Sequence, residues 1–150
     1  MPFEHRHHRR VEFAETDLAG IVHFTHYFRY AEEAEHAFLR SLGLSVHGSH
    51  GGQAIGFPRL AARCEFQKPL RFEDEVEVHL WVRRKGKRSI VYQFTISRAG
   101  EAVARGEVAV LCCRLEPDGR FEPAELPPPF RDRIEEAPHR PLEFRTHEGL

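Results

Sequence analysis

Apolar and polar residues alternate along this chain with two different periods, and each period predicts one kind of element. Residues 8–15 alternate one by one, which predicts a short strand. Between Tyr27 and Leu42 the apolar residues recur every three or four positions, as on one face of a helix, while Glu35 and other charged residues lie off that face. Gly43 then predicts the end of this helix, which would be about 24 Å long.

The period of two returns after residue 56 and predicts most of a sheet. The segment 44–56 is rich in glycine and histidine and predicts a loop. The four strands predicted after it are 58–70, 74–85, 88–98 and 101–115. The later strands are connected by short turns, which make neighbouring strands antiparallel. The sequence therefore predicts an α+β domain with one long helix on one face of an antiparallel sheet.

The sheet is expected to meet another protein chain. Trp81 and the long strand 102–115 are predicted to form exposed contact surfaces. Because exposed sheet edges are commonly covered by pairing with another chain, the sequence predicts a homodimer. Beyond Leu115 prolines break both periods. We expect a single domain over residues 1–135, ending in an extended segment, and a mobile C-terminal tail over 136–150.

Length, charge and cysteine content narrow the class of protein. The 150 residues are enough for one ordinary domain. The 22 lysines and arginines nearly cancel the 23 aspartates and glutamates, which argues against a nucleic-acid partner or an acidic membrane surface. The sequence shows neither a membrane span nor a secretory signal, so we expect a cytoplasmic protein. The three cysteines lack CxxC spacing and are expected to be small, buried residues.

A short stretch at the start of the predicted helix gathers residues that can do chemistry. Asp17, Gly20, His23, His26 and Tyr27 lie within eleven positions. A helix amino terminus carries unpaired amides and roughly half a positive charge, so it can stabilise an anion that develops beside an acid. From the spacing alone, a turn or capping role for the aspartate is as good an interpretation as a catalytic one.

The same stretch resembles a known family. The sequence VEFAETDLAGIVHFTHYFRYAEEAEHAFLRSLGL has a strand, the motif T-D-x-x-G-I-V, a tyrosine ten residues after the aspartate and a helix that ends near a glycine. This pattern resembles the hot-dog-fold acyl-CoA thioesterases, specifically the 4-hydroxybenzoyl-CoA thioesterase-like group. The segment FPRLAARCEFQKPLRFEDEVEV is similar to the second and third strands of that family, and the resemblance covers residues 8–115.

The resemblance implies a fold, an activity and an acid. The fold is an antiparallel sheet wrapped around one central helix, in dimers or dimers of dimers with two sites at the subunit interface. The activity is hydrolysis of an acyl-CoA thioester to free CoA and a carboxylic acid, without a cofactor. Asp17 would act as nucleophile or general base, and helix-start amides would polarise the carbonyl. Gly20 would shape the loop or let the backbone approach the substrate.

The residues after Asp17 fit the family pattern less well. His23 is a candidate for orienting the acid or carrying a proton, since histidine titrates near neutrality. Relatives often carry a histidine where this chain has Phe24 and an asparagine where it has His26. Phe24 and Tyr27 are expected to line the substrate pocket, although a packed aromatic is the commoner role for a tyrosine at this place.

The densest basic run, RRKGKRS at residues 83–89, is the candidate contact for the phosphates of CoA. Arginine pairs with phosphate through two hydrogen bonds. The candidate residues are Arg83, Arg84, Lys85, Lys87, Arg88 and Ser89. The alternative is an ordinary solvated hairpin turn. No metal site is predicted, because the scattered histidines have neither cysteine partners nor an H-E-x-x-H pattern.

Acyl-CoA hydrolysis is therefore the leading interpretation, and two alternatives stay open. One is a non-catalytic hot-dog module that binds acyl-CoA or an acyl carrier protein. The other is a hot-dog hydratase or dehydratase, which would use its acid and histidine for proton transfer on the acyl chain. The sequence does not determine the acyl group.

Overall fold

The computed structural model of the chain describes residues 1–147 and contains two antiparallel sheets beside one long helix. The elements in chain order are β1 (Glu4–Arg10), a 3₁₀ turn (Phe13–Glu15), α1 (His26–Ser41), β2 (Gly48–His50), β3 (Gln53–Gly56), β4 (Arg59–Phe66), β5 (Glu75–Lys85), β6 (Ser89–Arg98), β7 (Glu101–Leu111), β8 (Cys113–Leu115), β9 (Phe121–Pro123) and α2 (Pro128–Arg133). The larger sheet has the order β1-β5-β6-β7-β4, and the smaller one β2-β3-β8-β9. No helix in this part of the chain is long and apolar enough to cross a membrane.

Helix α1 packs on one face of the larger sheet, which confirms the predicted α+β architecture. The apolar stripe that it buries consists of Tyr27, Tyr30, Ala31, Ala34, Phe38 and Leu39. On the sheet side the ring of Tyr92 meets that of Phe38 edge to face, with centroids 6.2 Å apart. Burial of each large apolar side chain contributes roughly 1.5–3 kcal/mol, so this face holds the helix on the sheet.

The first strand and the predicted loop differ from expectation. A first strand is present, but its predicted bounds of 8–15 were wrong: β1 spans Glu4–Arg10, and Glu12 and Glu15 exchange hydrogen bonds that wind the following residues into the 3₁₀ turn. The segment predicted as a loop, 44–56, contains the hairpin of β2 and β3. Its pairing with β8, nearly sixty residues away, is a contact that local periodicity does not reveal.

The edges of the larger sheet are β1 and β4, so the prediction of an edge at residues 102–115 was wrong. Strand β7 lies between β6 and β4, and the chain leaves the larger sheet at Cys112 before β8 joins the smaller one. The free thiols of Cys112 and Cys113 are buried and that of Cys64 is half-buried. Short turns connect β5, β6 and β7, so these three strands are neighbours in the sheet. β4 comes before β5 in the chain but pairs with β7, so its position depends on a crossover connection.

The C-terminal segment lies on the outer face of the larger sheet. The ring of His139 lies 5.0 Å from that of Trp81, which is buried, so the prediction of Trp81 as an exposed contact surface was wrong. The amide of Leu142 donates to the side chain of Gln93 at 2.8 Å, and the guanidinium of Arg63 stacks on Phe144. The predicted domain limit at residue 135 stays a prediction, and the last three residues of the predicted tail lie outside the described range.

Candidate active site

Asp17 sits in a small hairpin that joins the 3₁₀ turn to α1. Thr16 and Val22 form a β-bridge, and the amide of Asp17 donates to the carbonyl of Ile21 at 2.9 Å. The turn closes when the Gly20 amide donates to the Asp17 carbonyl at 2.9 Å, with Gly20 at φ +79°. That left-handed conformation favours glycine, so the geometry gives Gly20 a role in shaping the loop.

The carboxylate of Asp17 is half-buried and only partly used by the protein. Its Oδ1 accepts a hydrogen bond from the amide of Ala19 at 2.9 Å, which fixes the side chain over the turn. Its Oδ2 has no hydrogen-bond partner among residues 1–147. One oxygen of the carboxylate is therefore held in place while the other is available to a substrate or a water molecule.

The start of α1 leaves amides available beside this carboxylate. The amides of His26 and Tyr27 donate back to the carbonyls of His23 and Phe24, at 3.0 and 3.3 Å. Within the described part of the chain, the amides of Phe24 and Thr25 have no hydrogen-bond acceptor. Such amides at the positive end of a helix can donate hydrogen bonds to an anionic oxygen.

Asp17 and the helix start border one open cleft of about 510 Å³. Its other walls come from the end of β4 and the residues that follow it. The lining residues are Asp17, Ile21, Val22, His23, Phe24, Tyr27, Phe66, Gln67, Lys68 and Pro69. The structure thus brings together four of the predicted site residues, and it adds a wall from residues 66–69 that sequence analysis missed.

The two histidines do not contact the acid. Nδ1 of His23 lies 2.8 Å from Oγ1 of Thr25, and its exposed ring lies against that of Phe24. No hydrogen bond links His23 to Asp17 in residues 1–147, and the ring of His26 packs edge-on to that of His23 at 6.4 Å. A catalytic role for His23 stays a prediction.

Tyr27 forms the buried side of the cleft. Its ring packs edge to face on Phe66, with centroids 4.9 Å apart. Burial raises the pKa of the Tyr27 phenol, so the phenol keeps its proton at neutral pH. Its position fits the predicted lining of the pocket, as does that of Phe24, which is more than half exposed.

A second pocket of about 300 Å³ lies further along α1, between the helix and the larger sheet, and it shares no lining residue with the cleft. We call the space between α1 and β4, from Asp17 to Arg59, the groove. Phe24 and Tyr27 line its open end, and the next two turns of α1 line its closed end. The apolar residues around the closed end are Phe28, Ala31, Ala62, Leu80, Tyr92, Phe94 and Val108.

An ion pair terminates the closed end of the groove. Glu35 is 3% exposed and accepts two hydrogen bonds from Arg59, at 2.9 and 2.7 Å, and Arg59 also pairs with Glu32 at 2.9 Å. Burial alone would lower the pKa of the Arg59 guanidinium, but the two carboxylates outweigh burial and raise it. The prediction that Glu35 lies off the apolar face was wrong. Its spacing of four from Ala31 and three from Phe38 was the signal that could have found it.

The basic run lies at the other end of the larger sheet from Asp17. The Asp17 hairpin contacts the chain just before β5, where the Val22 amide donates to the Leu70 carbonyl, and β5 then runs for roughly 33 Å to the basic turn. Within one chain, the structure does not bring residues 83–89 to the cleft.

Two members of the run have partners inside the chain. Nε of Arg83 lies 2.9 Å from Oε1 of Glu107. The two side chains form an ion pair but no hydrogen bond, because the Nε–H of Arg83 does not point at that oxygen. Lys85 donates to the carbonyls of Arg131 and Ile134, at 2.6 Å each. Arg84, Lys87 and Arg88 are exposed, and the carbonyl of the half-buried Ser89 accepts the Gly86 amide at 2.8 Å. Contacts of the run with CoA stay a prediction. In residues 1–147 no three His, Cys, Asp or Glu side chains are grouped so as to hold a metal ion.

Comparison of the sequence with known proteins identifies the family of this chain. The sequence model of the thioesterase-like superfamily matches residues 11–134. A relative from Aquifex aeolicus (strain VF5) is 40% identical over 105 residues, which is 70% of this chain and 80% of the relative. The 1,4-dihydroxy-2-naphthoyl-CoA hydrolase of Thermosynechococcus vestitus is 29% identical over 134 residues, which is 88% of this chain and 92% of that enzyme.

Solved structures of similar fold support the same family. The gentisyl-coenzyme A thioesterase BH1999 superposes with a TM-score of 0.73 at 28% identity, over 85% of this chain and 99% of that one. The 1,4-dihydroxy-2-naphthoyl-CoA thioesterase Slr0204 from Synechocystis superposes with a TM-score of 0.75 at 25% identity, over 87% and 95%. The predicted family, the hot-dog fold and the thioesterase class of enzyme are confirmed. The chain belongs to the thioesterase-like superfamily.

Proposed function

We propose that the protein hydrolyses an acyl-CoA thioester at the Asp17 cleft, releasing free CoA and a carboxylic acid. The observation that carries this proposal is that one cleft is lined by Asp17, whose Oδ2 is available, and by Phe24, whose amide is unpaired like that of the next residue, Thr25. Thioester hydrolysis needs these two groups on either side of one carbonyl.

Each group has a defined task in this mechanism. The amides donate hydrogen bonds to the carbonyl oxygen as negative charge develops on it, and one such donor contributes about 2.7–4 kcal/mol in other enzymes. Asp17 either attacks the carbonyl carbon, giving an anhydride that water then cleaves, or takes a proton from the attacking water. A positioned general base contributes roughly 10²- to 10⁴-fold. In both routes the C–S bond breaks, and CoA leaves as a thiolate that takes up a proton to give the free thiol.

The closed end of the groove supports an aromatic acyl group as substrate. Its volume of about 300 Å³ and its aromatic walls suit a flat ring that extends from a thioester held at Asp17. The relatives named above act on naphthoyl-CoA and gentisyl-CoA thioesters, which carry hydroxylated rings. The Glu35–Arg59 pair at the end of the pocket offers polar atoms to such a ring.

A homodimer through the edge strand β4 would complete the site. β4 is largely exposed, and the side chains of Leu60 and Phe66 remain 59% and 47% accessible, which is unusual for large apolar residues on a sheet edge. Two copies of β4 paired antiparallel would bring the basic-run end of one sheet beside the Asp17 end of the other. Exposed Arg84 and Arg88 would then border the cleft of the second copy. The free thiols agree with the predicted cytoplasmic location.

The test is release of free CoA from a panel of short, long and aromatic acyl-CoAs, followed with a thiol reagent. The wild-type protein is expected to turn over aromatic thioesters fastest. Asp17→Asn is expected to lower kcat by roughly 10²- to 10⁴-fold without changing the unfolding midpoint, because it removes the base while keeping its shape. Asp132→Asn, at an exposed position of α2, is the matched control and should keep the wild-type rate.

Two results would contradict the proposal. Asp17→Asn working at the wild-type rate would exclude the aspartate as base or nucleophile. Saturable acyl-CoA binding by the wild-type protein with no turnover would instead favour the non-catalytic binding module.

A further inference from the structure

A buried acidic residue, Glu15, lies two positions before Asp17 and takes no part in the chemistry described above. Its side chain is 1% exposed. Both carboxylate oxygens accept hydrogen bonds from Nη2 of Arg9, at 2.8 and 2.7 Å. Oε1 also accepts the phenol of Tyr30 at 2.9 Å and the amide of Glu12 at 2.8 Å. One carboxylate thus ties β1, the 3₁₀ turn and α1 together.

The backbone of Glu15 connects this junction to the active site. Its carbonyl accepts the amide of His23 at 3.0 Å, and the next residue, Thr16, forms the β-bridge to Val22. The segment that carries Asp17 therefore begins at Glu15, and the segment that leads to the Phe24 amide is hydrogen-bonded to Glu15. A shift of this residue would change the distance between the acid and the amides.

Arg9 and Tyr30 hold the Glu15 carboxylate from two sides. The guanidinium of Arg9 stacks on the ring of Tyr30 at 4.1 Å and pairs with the carboxylate of Glu33 as well. Burial and the hydrogen bond to Glu15 raise the pKa of the Tyr30 phenol, which therefore stays a donor throughout the physiological range. The planar guanidinium makes contacts that a lysine cannot reproduce.

Stability alone is a weak explanation for this junction. A buried ion pair is often no more stable than well-packed apolar residues in its place, and the Nε–H of Arg9 is buried without a partner among the described residues. What the pair supplies is a fixed position for each of its neighbours. Catalytic geometry is sensitive to such positions, because a misplacement of about 1 Å can lower a rate by roughly 10²-fold.

We propose that Glu15 is a positioning residue, held by Arg9 and Tyr30, which sets the separation between the Asp17 carboxylate and the helix-start amides. This inference rests on the proposed function, since it requires Asp17 to act in catalysis. Glu15 touches no substrate and acts only through the two strands of the Asp17 hairpin.

The test compares Glu15→Gln and Tyr30→Phe with a control, Glu33→Gln, which also removes an Arg9 contact but whose side chain is only half-buried. We expect Glu15→Gln to lower kcat by roughly 10- to 100-fold and Tyr30→Phe by about 10-fold, with KM changed less than about twofold. Glu33→Gln should keep the wild-type kcat. Circular dichroism and thermal unfolding show which variants are folded, and Tyr30→Phe, which removes one hydroxyl, serves if Glu15→Gln fails to fold.

A second measurement separates positioning from a general loss of structure. If Glu15 acts through Asp17, adding Glu15→Gln or Tyr30→Phe to Asp17→Asn should lower the residual rate no further. A full additive loss would overturn the proposal, as would a wild-type kcat in folded Glu15→Gln and Tyr30→Phe. The proposed function fails by a different result, a wild-type rate in Asp17→Asn or no turnover by the wild-type protein, and either result overturns the positioning role with it.

Discussion

Asp17 and Glu35 lie at opposite ends of the groove between α1 and β4, and their surroundings differ in every respect that matters to a carboxylate. Asp17 is half-buried, with one oxygen held by the Ala19 amide and one available in an open cleft. Glu35 is buried and accepts two hydrogen bonds from Arg59. The same functional group is thus available to a substrate at one end and neutralised by its partner at the other.

The comparison teaches that availability, rather than burial, distinguishes the acid that we propose to be catalytic. Burial of Glu35 requires a partner, because an unpaired buried charge is strongly destabilising. Asp17 avoids this penalty by remaining in contact with solvent. We therefore expect loss of the acid at the open end to lower activity without lowering stability, and loss of the ion pair at the closed end to lower stability.

The largest expected effect is on the rate of alkylation of Cys64, which lies on β4 between the two ends of the groove. Burial raises the pKa of its thiol to about 12, with a smaller contribution from the charge of Glu65. Since only the thiolate reacts, alkylation of Cys64 by iodoacetamide at pH 8 should be on the order of 10²- to 10³-fold slower than for an ordinary cysteine. Peptide mass spectrometry over time measures this rate, and urea should abolish the protection. Rapid labelling of the native protein would show that the groove is open to solvent along its length.

The next effect is a loss of stability on substitution of Gly106 in β7, which packs against Phe94 of the closed end of the groove. A Cβ at this position would lie 2.3 Å from Cζ of Phe94 and 2.4 Å from the carbonyl oxygen of Arg63. The backbone of β4 cannot move away easily to make room for the added methyl group. Gly106→Ala should therefore lower the free energy of unfolding by about 3 kcal/mol, at the upper end of the range for overpacking. Urea unfolding measures it, with Ala102→Ser on an exposed part of β7 as control. If Gly106→Ala unfolds like the wild type, β4 and Phe94 are not tightly packed there.

The smallest expected effect is the loss of stability when the Glu35–Arg59 ion pair is broken. Arg59→Met leaves Glu35 buried without its partner and should lower the free energy of unfolding by about 2 kcal/mol, less than for a fully buried pair because Arg59 is one-third exposed. Arg29→Met, at an exposed arginine of the same pocket, should change it by less than about 0.5 kcal/mol. Both values come from urea unfolding. Equal stability of Arg59→Met and the wild type would remove the contrast between the two ends.

Much of the site was predictable because its parts are local in sequence. Asp17, His23, Phe24 and Tyr27 lie within eleven residues, and a turn followed by a helix start brings them to one cleft. The chemistry of the closed end was not predictable in this way. Glu35 and Arg59 are separated by 24 residues, and their contact depends on where β4 enters the sheet.

The sequence by itself determined the helix, the presence of a strand within each of the segments 58–70, 74–85, 88–98 and 101–115, and the family to which the chain belongs. Period and motif suffice for these features, because they reflect which side of each element is buried. Only the tertiary structure decided that β4 lies at the edge, that the C-terminal segment covers Trp81 and that the basic run lies far from Asp17 within one chain. These features depend on pairings between distant segments, and no local pattern of apolar residues specifies which segments meet.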